Sequence, residues 1–338
     1  MLTIHSYSIA VVLCVLTMIC WGSWANTQKL AARSWRFELF YWDFIAGLLL
    51  TSLVFALTLG STGQTGRTFI ADLAQADASS IGWAMLGGAV WNAGNLLLVA
   101  AIAVAGMAIG FPIGGGIAWV LGIAVNFLLV IVAGGVNPGN STLLFIGSSI
   151  IVVAIILSMM TYKQQTSAVK KGGAKGILLS VAAGLFIAFF YGLVVKSSDP
   201  VFVSGGAGKL MPLTASFFFT LGAFVTTFPF NAFFMRKPVE GLPVSFADYF
   251  KGSFSTHLTG VLGGAIWSTG LTASFIAVGA AGPAVSYALS NAAPVVAILW
   301  GVFVWREFAG APRKVNIQLA CMFLCFLAGL VLITYSRL

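Results

Sequence analysis

The sequence predicts an all-α integral membrane protein with ten transmembrane helices in two inverted five-helix repeats. Of its 338 residues, 59% are hydrophobic and only 7% are charged, and the mean hydropathy is +1.02. Soluble domains carry roughly 25% charged residues, so this composition is typical of a membrane protein. Two further observations support the prediction: a series of apolar runs, each long enough to cross a bilayer, and a segment that recurs about half a chain later.

Apolar runs divide the chain into ten candidate spans. A helix that crosses the hydrocarbon layer of about 30 Å needs about 20 mostly apolar residues. Such runs lie near 6–26, 38–60, 80–104, 107–133, 142–161, 175–196, 212–234, 255–278, 282–305 and 316–335. The long polar intervals between them, at 61–79, 162–174 and 236–254, are too short and too polar to form separate domains.

An internal repeat relates the two halves of the chain. Residues at a fixed offset of 176 positions match: Gly87, Gly88, Ala89, Trp91, Gly94, Ala101 and Gly106 recur as Gly263, Gly264, Ala265, Trp267, Gly270, Ala277 and Gly282. We therefore expect a first five-helix repeat at 1–165 and a second at 166–338, together forming one transport domain. Because each repeat holds an odd number of spans, the second copy is expected to be inverted, as alternating access requires.

Basic residues predict the orientation of the ten spans. Thirteen of the 17 lysines and arginines fall in the loops after odd-numbered spans, among them the segment from Lys163 to Lys175 that joins the two halves. Loops rich in Lys and Arg stay in the cytoplasm. The sequence thus predicts a multi-pass protein of the cell membrane with both termini outside the cytoplasm.

Cysteine and histidine usage gives no sign of a metal site or of an enzyme. The four cysteines all lie inside apolar runs, without metal-type spacing: Cys14, Cys20, Cys321 and Cys325. Neither His5 nor His257 has a carboxylate or a cysteine placed by spacing to work with it, so we expect no enzyme and no cofactor. The net charge of +9 sits in short loops and is better explained by membrane topology than by nucleic-acid binding.

Two carboxylates lie at the start of the second span and are candidates for proton coupling. A carboxylate near the centre of a membrane helix costs around 2.5–3.5 kcal/mol on insertion scales, which makes it a functional-site hypothesis. Asp43 has no basic neighbour on its own helix and could take and release a proton. A structural hydrogen bond to a neighbouring helix, or a position among the lipid headgroups, is the alternative. Glu38 lies near Arg33 and Arg36, which favours an interfacial ion pair.

Asparagines beside a tryptophan are the first candidates for substrate binding. Trp91 and Asn95 are four residues apart and share a helix face, so a ring and an amide are presented together, with Asn92 beside them. Such a pair can stack on a flat or sugar-like ring and bond its oxygens. The second copy keeps Trp267 but has Ser268 in place of Asn92. The alternative is that Asn95 bonds another helix's backbone.

Two more polar groups complete the candidate site. Trp21, Trp24 and Asn26 lie at the end of the first span, where tryptophans are also common as interfacial anchors. Tyr287 and Asn291, in the ninth span just before Pro294, add a hydroxyl and an amide.

Several of these motifs resemble a known family. The halves of five spans and the Trp-x-Glu-Phe element at Trp305 to Phe308 resemble the drug/metabolite transporter superfamily. Within it, CWGSWANTQKL, the YWDF element around Asp43, and Gly87, Gly88, Gly94 and Asn95 are similar to the sugar uptake proteins for glucose, ribose and rhamnose and to the ureide permeases. The resemblance implies secondary transport: proton-linked uptake of sugars in one branch, and of allantoin or nucleobases in the other.

The expected function is therefore uptake of a small neutral polar solute, a sugar or a ureide or nucleobase, by a secondary transporter coupled to H⁺, with Na⁺ as the alternative coupling ion. An exporter or uncoupled facilitator of metabolites or drugs is the alternative. The expected partners are this small-molecule substrate and the lipid bilayer, with the protein acting as a monomer or homodimer.

Overall fold

The computed structural model is a bundle of α-helices, and it describes residues 1–31, 35–62, 66–105, 107–132, 139–165, 173–198, 206–239, 241–306 and 308–337. The helices are α1 (Tyr7–Ser23), α2 (Ala25–Leu30), α3 (Phe37–Leu57), α4 (Phe69–Gln75), α5 (Ala78–Ala105), α6 (Met107–Val132), α7 (Ser141–Gln165), α8 (Gly173–Ser197), α9 (Pro212–Arg236), α10 (Phe246–Tyr249), α11 (Phe254–Ala281), α12 (Pro283–Ser290), α13 (Pro294–Leu299) and α14 (Arg313–Tyr335).

Nine segments within the described residues are long and apolar enough to cross a membrane. They include Tyr7–Leu30, which joins α1 to α2, and Pro283–Val304, which contains α12 and α13. Of the predicted spans, only the fourth is missing from these nine. It falls on α6, a helix of 26 residues of which the stretch Ile113–Leu129 is apolar. The predicted boundary between the repeats adjoins residues 166–172, which lie outside the described residues, as do Lys170 and Lys171.

Helices of the first half pack mainly on helices of the second. The helix α5 lies against α8 and α9, and α11 lies against α1 and α3. In the same way α6 packs on α8, α12 packs on α1, and α7 packs on α14. The counterparts of α1, α3, α5, α6 and α7 in the second half are α8, α9, α11, α12 and α14. For each of these contacts, the two counterpart helices also contact one another. The core is therefore shared between the two halves rather than divided between them.

Glycines set the closest helix contacts, and these also occur in pairs. An ideal Cβ at Gly88 would lie 1.9 Å from the carbonyl oxygen of Phe219, and one at Gly264 would lie 2.0 Å from that of Phe44. The same distances are 2.2 Å from Gly47 to Val261 and 2.1 Å from Gly222 to Met85. Only glycine lets backbones come this close, as expected where membrane helices associate through small residues.

Substitution of such a glycine is expected to destabilise the bundle. In Gly264→Ala the new methyl group meets a backbone oxygen that cannot rotate away, so the helices must separate. Overpacking of this kind costs about 1–3 kcal/mol. Thermal unfolding of the purified protein in detergent measures the effect. Gly82→Ala, where an added Cβ has no neighbour within 4 Å, is the control and should match or exceed the wild-type Tm. Equal Tm values for Gly264→Ala and Gly82→Ala would contradict the close approach.

Polar contacts fasten the connections at one end of the bundle. The side chain of Asp72 is fully buried and accepts hydrogen bonds from Arg67 Nε (2.9 Å) and from the backbone N–H of Met211 (2.8 Å). Arg67 and Gln75 both donate to the carbonyl of Lys209, each at 2.9 Å. We call Arg67, Asp72 and Gln75 the Asp72 clasp. It ties the connection before α5 to the connection before α9.

The ninth span is not the continuous helix that the sequence predicts for 282–305. The helix α12 ends at Ser290, a turn follows at 291–293, and α13 begins at Pro294 and continues into a π-helical turn at Trp300–Val304. Proline has no N–H to donate and its ring clashes with the preceding turn, which accounts for the break. Carbonyl groups freed in this way need other partners.

Candidate functional site

Aromatic rings from four helices meet in the interior of the bundle. The ring centroids of Trp91 in α5 and Trp267 in α11 lie 4.2 Å apart. Trp21 of α1 and Phe219 of α9 stack on Trp267 at 5.2 Å and 6.0 Å, with interplanar angles of 18° and 9°. We call Trp21, Trp91 and Trp267 the tryptophan cluster. All three are less than a tenth exposed. Their faces are suited to packing on a flat ring.

A glycine and a hydrogen bond fix the first ring of the tryptophan cluster. An ideal Cβ at Gly270 would lie 2.9 Å from ring atoms of Trp21, so the indole rests directly on the backbone of α11. The indole N–H of Trp21 donates to the carbonyl of Trp267 at 3.2 Å. The Trp-x-x-Gly element of the repeat therefore supplies both a ring and the space for its neighbour.

Next to the tryptophan cluster, a buried polar network joins α3, α5 and α9. The hydroxyl of Tyr41 donates to Asn92 Oδ1 at 2.8 Å and accepts from Asn95 Nδ2 at 3.1 Å. The amide of Asn92 also donates to Thr226 and Thr227 Oγ1, both at 3.1 Å. Tyr41, Asn92 and Asn95 are each at most 5% exposed. Both predicted asparagines thus bond a side chain of another helix, and not another helix's backbone.

A second buried network contains the hydroxyl groups of α8, α11 and α12. Tyr191 OH lies 2.9 Å from both Ser274 Oγ and Ser286 Oγ, and Ser290 lies 3.1 Å from Ser274. The predicted site residue Tyr287 lies beside this network, with its ring 5.2 Å from that of Tyr191, but its hydroxyl donates to the carbonyl of Ala118. Tyr287 therefore joins α12 to α6.

Asp43 lies near the start of α3 and contacts two groups from distant parts of the chain. His257 Nδ1, from the first turn of α11, lies 2.9 Å from Asp43 Oδ2, and the hydroxyl of Tyr249 donates to Oδ1 at 2.5 Å. The Asp43 side chain is 5% exposed, whereas that of His257 is 24% exposed. Burial raises the pKa of the Tyr249 hydroxyl above its ordinary value, and its bond to Asp43 adds to this. We call Asp43, Tyr249 and His257 the Asp43 triad.

The geometry of the Asp43 triad allows proton exchange with solvent. The carboxylate is buried and the imidazole that contacts it is partly exposed, so a proton could pass between solvent and Asp43 through His257. Within the described residues, no group of three or more His, Cys, Asp or Glu side chains could hold a metal ion.

The remaining predicted residues lie outside the tryptophan cluster. Glu38 has a fully buried side chain and pairs with Arg36. This contact is the ion pair that the sequence favours for Glu38. Asn26 donates to the carbonyl of Ser23 and accepts from the indole of Trp305. The other two have these contacts: Trp24 packs on Phe44 at 4.7 Å, and Asn291 donates to the carbonyl of Tyr287. Ser268 adjoins Trp267 in α11 and is fully buried.

Comparison with known proteins decides the family. A family model described as "Ureide permease" matches residues 40–174 and 168–336, which is most of the chain. This protein belongs to the ureide permease family. Of the branches that the motifs resemble, the match therefore supports the ureide permeases. The chain is a membrane transporter by family, and its family relatives indicate a transporter rather than an enzyme.

Several ureide permeases of Arabidopsis thaliana resemble the chain from end to end. Ureide permease 1 is 26% identical over 386 residues, and Ureide permease 2 is 26% identical over 394 residues. In both comparisons 99% of this chain and 99% of the relative are covered. A solved crystal structure also shares the fold, with a TM-score of 0.56 at 15% identity, over 97% of this chain and 99% of the other.

Sequence reasoning did not find several residues that complete these clusters in the ureide permease fold. His257 and Tyr249 lie more than 200 positions from Asp43, and neither adjoins a carboxylate in a helical pattern. Tyr41 stands two residues before Asp43 in the YWDF element and could have been chosen as a polar group in an apolar run. Tyr191, within FFYG of α8, carries the same signal.

Removal of the Tyr41 hydroxyl is expected to destabilise this permease. In Tyr41→Phe, Asn92 Oδ1 loses a donor and Asn95 Nδ2 loses its acceptor, and both amides stay buried. Leaving a buried polar group without its partner costs about 1–3 kcal/mol. A lower Tm in detergent would show this loss. The control is Tyr335→Phe, at an exposed position near the end of α14, which should leave Tm unchanged. If both variants melt like wild type, the network contributes nothing to stability.

Proposed function

We propose that this protein takes up a ureide, a small neutral polar solute, across the cell membrane by proton-coupled alternating access. The observation that carries the proposal is the match to ureide permeases over nearly the whole chain. Those relatives are named for ureides, and the interior of this bundle offers flat rings and uncharged hydrogen-bonding groups. Sugars and nucleobases are the other members of the expected substrate class and serve as competitors in the test.

The paired contacts support an inverted-repeat architecture of ten spans. These are the nine segments given above together with α6, which is the fourth span in chain order. Gly88 on Phe219 and Gly264 on Phe44 are equivalent contacts at offsets of 175 and 176 positions. Gly47 on Val261 and Gly222 on Met85 obey the same offsets. Trp91 and Trp267 occupy equivalent positions in the two halves, and their rings contact one another. Two bundles that exchange contacts in this way can rock about a shared centre.

The proposed substrate site lies at that shared centre. Its flat surfaces are the tryptophan cluster, and its polar groups come from Asn92, Asn95 and Ser268 next to it. Asn26, Trp24, Tyr287 and Asn291 lie further along the first and ninth spans, where they would line the path that a solute follows to the centre. Substrate binding by all of these residues remains a prediction.

The proposed coupling group is the Asp43 triad. The positive-inside rule assigns the loops next to it to the cytoplasm and both chain termini to the outside. A proton carried inward with the substrate would then leave from Asp43 through the partly exposed His257. The coupling ion is accordingly H⁺. Glu38, held by Arg36, would anchor the start of α3 rather than exchange a proton.

Uptake of labelled allantoin into proteoliposomes tests this function. We expect accumulation when the outside is more acidic than the inside, and simple equilibration at equal pH. A one-unit gradient is worth about 1.4 kcal/mol, or about tenfold accumulation at one proton per substrate. Accumulation driven only by a sodium gradient would contradict proton coupling.

The alternative is an exporter or an uncoupled facilitator of the same superfamily. In the same vesicles, a facilitator would equilibrate allantoin at any pH gradient. An exporter would move it only against the direction of proton flow. Cross-linking of the reconstituted protein distinguishes a monomer from a homodimer.

A further inference from the structure

The two halves differ at two pairs of equivalent positions in the interior. At offsets of 175 and 176 positions, Tyr41 and Asn92 correspond to Ser216 in α9 and Ser268 in α11. Another member of the first network, Thr227, corresponds to Ser52 in α3. The glycine contacts described above hold the helices at matching spacings in both halves. Two serines therefore stand where the other half has a tyrosine and an asparagine.

The hydroxyl groups in the second half lack the partners found in the first. Among the described residues, Ser216 Oγ, Ser268 Oγ and Thr272 Oγ1 are buried and have no hydrogen-bond partner. Their residues are 1%, 0% and 3% exposed. Ser52 instead pairs with Thr220 at 2.5 Å. Each unpaired hydroxyl is both a donor and an acceptor.

The three unpaired hydroxyls belong to α9 and α11, two helices that contact one another. Phe219, which lies between Ser216 and Thr220 in α9, stacks on Trp267 and contacts Phe275 at 6.2 Å. Ser268 and Thr272 are one turn apart in α11, within the stretch from Trp267 to Phe275 that Phe219 covers. Tyr41 and Asn92, which correspond to Ser216 and Ser268, lie 2.8 Å apart, so we expect the two serines to lie close together between α9 and α11.

Buried hydroxyl groups are costly when unpaired, so a partner is expected here. Hydroxyls in helices commonly bond the carbonyl one turn earlier. Thr269 does so with Ala265 at 2.8 Å, and Thr227 does so with Ala223. Ser268 and Thr272 make no such bond, although they belong to the same helix as Thr269. The serine side chains are also smaller than those of tyrosine and asparagine at the equivalent positions.

We propose that Ser216, Ser268 and Thr272 bind the carbamoyl group of the transported ureide. This proposal rests on the proposed function and identifies its polar subsite. A carbamoyl group presents a carbonyl oxygen beside N–H donors, and hydroxyls can donate to the first and accept from the second. The subsite carries no charge, as a neutral carbamoyl group requires. Trp267, adjacent to Ser268, covers the flat part of the solute.

Binding of two related solutes to the purified protein tests the subsite. Allantoin has a hydantoin ring with a carbamoyl-bearing arm, and hydantoin lacks the arm. We expect Ser268→Ala and Thr272→Val each to raise the Kd for allantoin by about tenfold, the effect of one lost hydrogen bond of 1.4 kcal/mol. The Kd for hydantoin should stay within twofold of its wild-type value, by the same scale about 0.4 kcal/mol.

Matched variants separate binding from folding. Thr269→Val removes a hydroxyl that already has a partner in its own helix, and it should leave both Kd values unchanged. Thr272→Ser keeps the hydroxyl and should retain the affinity that Thr272→Val loses. Tm measured without solute shows whether each variant is folded. A variant with lowered Tm is replaced by Ser216→Ala, for which the same loss of allantoin affinity is expected.

Three results would overturn the subsite. The first is a wild-type Kd for allantoin in both Ser268→Ala and Thr272→Val, which would leave these hydroxyls to bind water only. The second is an equal loss for allantoin and hydantoin, which would place the arm elsewhere. The third is a wild-type protein that binds no ureide at all, which overturns the proposed function together with the subsite. Binding by wild type with unchanged variants overturns the subsite alone.

Discussion

Asp43→Asn is expected to abolish pH-driven accumulation of substrate while leaving exchange of substrate intact. The amide keeps the size of the carboxylate and can still accept the hydrogen bond from Tyr249, so the helices stay in place. It cannot take up or release a proton. With a one-unit pH gradient, the accumulation ratio should fall from about ten to about one. Counterflow of labelled allantoin in the same proteoliposomes should persist.

A second aspartate at the same end of the bundle gives the control for this result. Asp248 is 39% exposed and pairs with Lys251, and its carboxylate has no contact with the Asp43 triad in the described structure. Asp248→Asn should transport like wild type. If Asp43→Asn still accumulates allantoin in response to pH, Asp43 is not the coupling group. If it loses counterflow as well, its role is structural.

Asp72→Ala is expected to give the largest loss of stability. The substitution leaves the guanidinium of Arg67 without its carboxylate and the backbone N–H of Met211 without an acceptor. Breaking a buried ion pair by removing one partner costs about 3–5 kcal/mol. The measurements are Tm in detergent and the rate of amide hydrogen exchange at residues 206–211. This segment should lose its protection first, because the Asp72 clasp holds it in place.

The exposed pair of Asp248 and Lys251 again supplies the comparison. Asp248→Asn removes an ion pair that water already screens and keeps an oxygen that can accept from the backbone N–H of Ser245, so it should leave Tm unchanged. Equal Tm values for Asp72→Ala and wild type would show that the clasp contributes no stability. A lowered Tm with unchanged protection at 206–211 would place the effect elsewhere in the structure.

The repeated Trp-x-x-Gly element predicted more of this interior than any other part of the sequence. Gly88 and Gly264 belong to the same repeated segment, and the structure places them directly on backbone oxygens. Small residues of this kind let membrane helices approach closely in any helix pair. The sequence also pointed to Trp21, Trp91 and Trp267, which converge in the structure.

Contacts between distant helices were beyond the reach of sequence patterns. The pairing of His257 with Asp43 depends on how α11 and α3 lie side by side, and no spacing rule connects positions 214 apart. Tyr41 was hidden for the same reason, because its partners are two asparagines of another helix. The break after Ser290 was missed since Pro294 can either kink a helix or end it, and neighbouring helices decide which.

The break in the ninth span has a mechanical consequence. Its counterpart in the first half, α6, runs without interruption from Met107 to Val132, whereas α12 stops at Ser290 and the chain turns before Pro294. We therefore expect the two halves to differ in stiffness even though their contacts match. Bending should be concentrated in the half that contains the turn, and the other half should move as a rigid body. In the proposed alternating-access cycle, opening toward one side of the membrane would then cross a different energy barrier from opening toward the other.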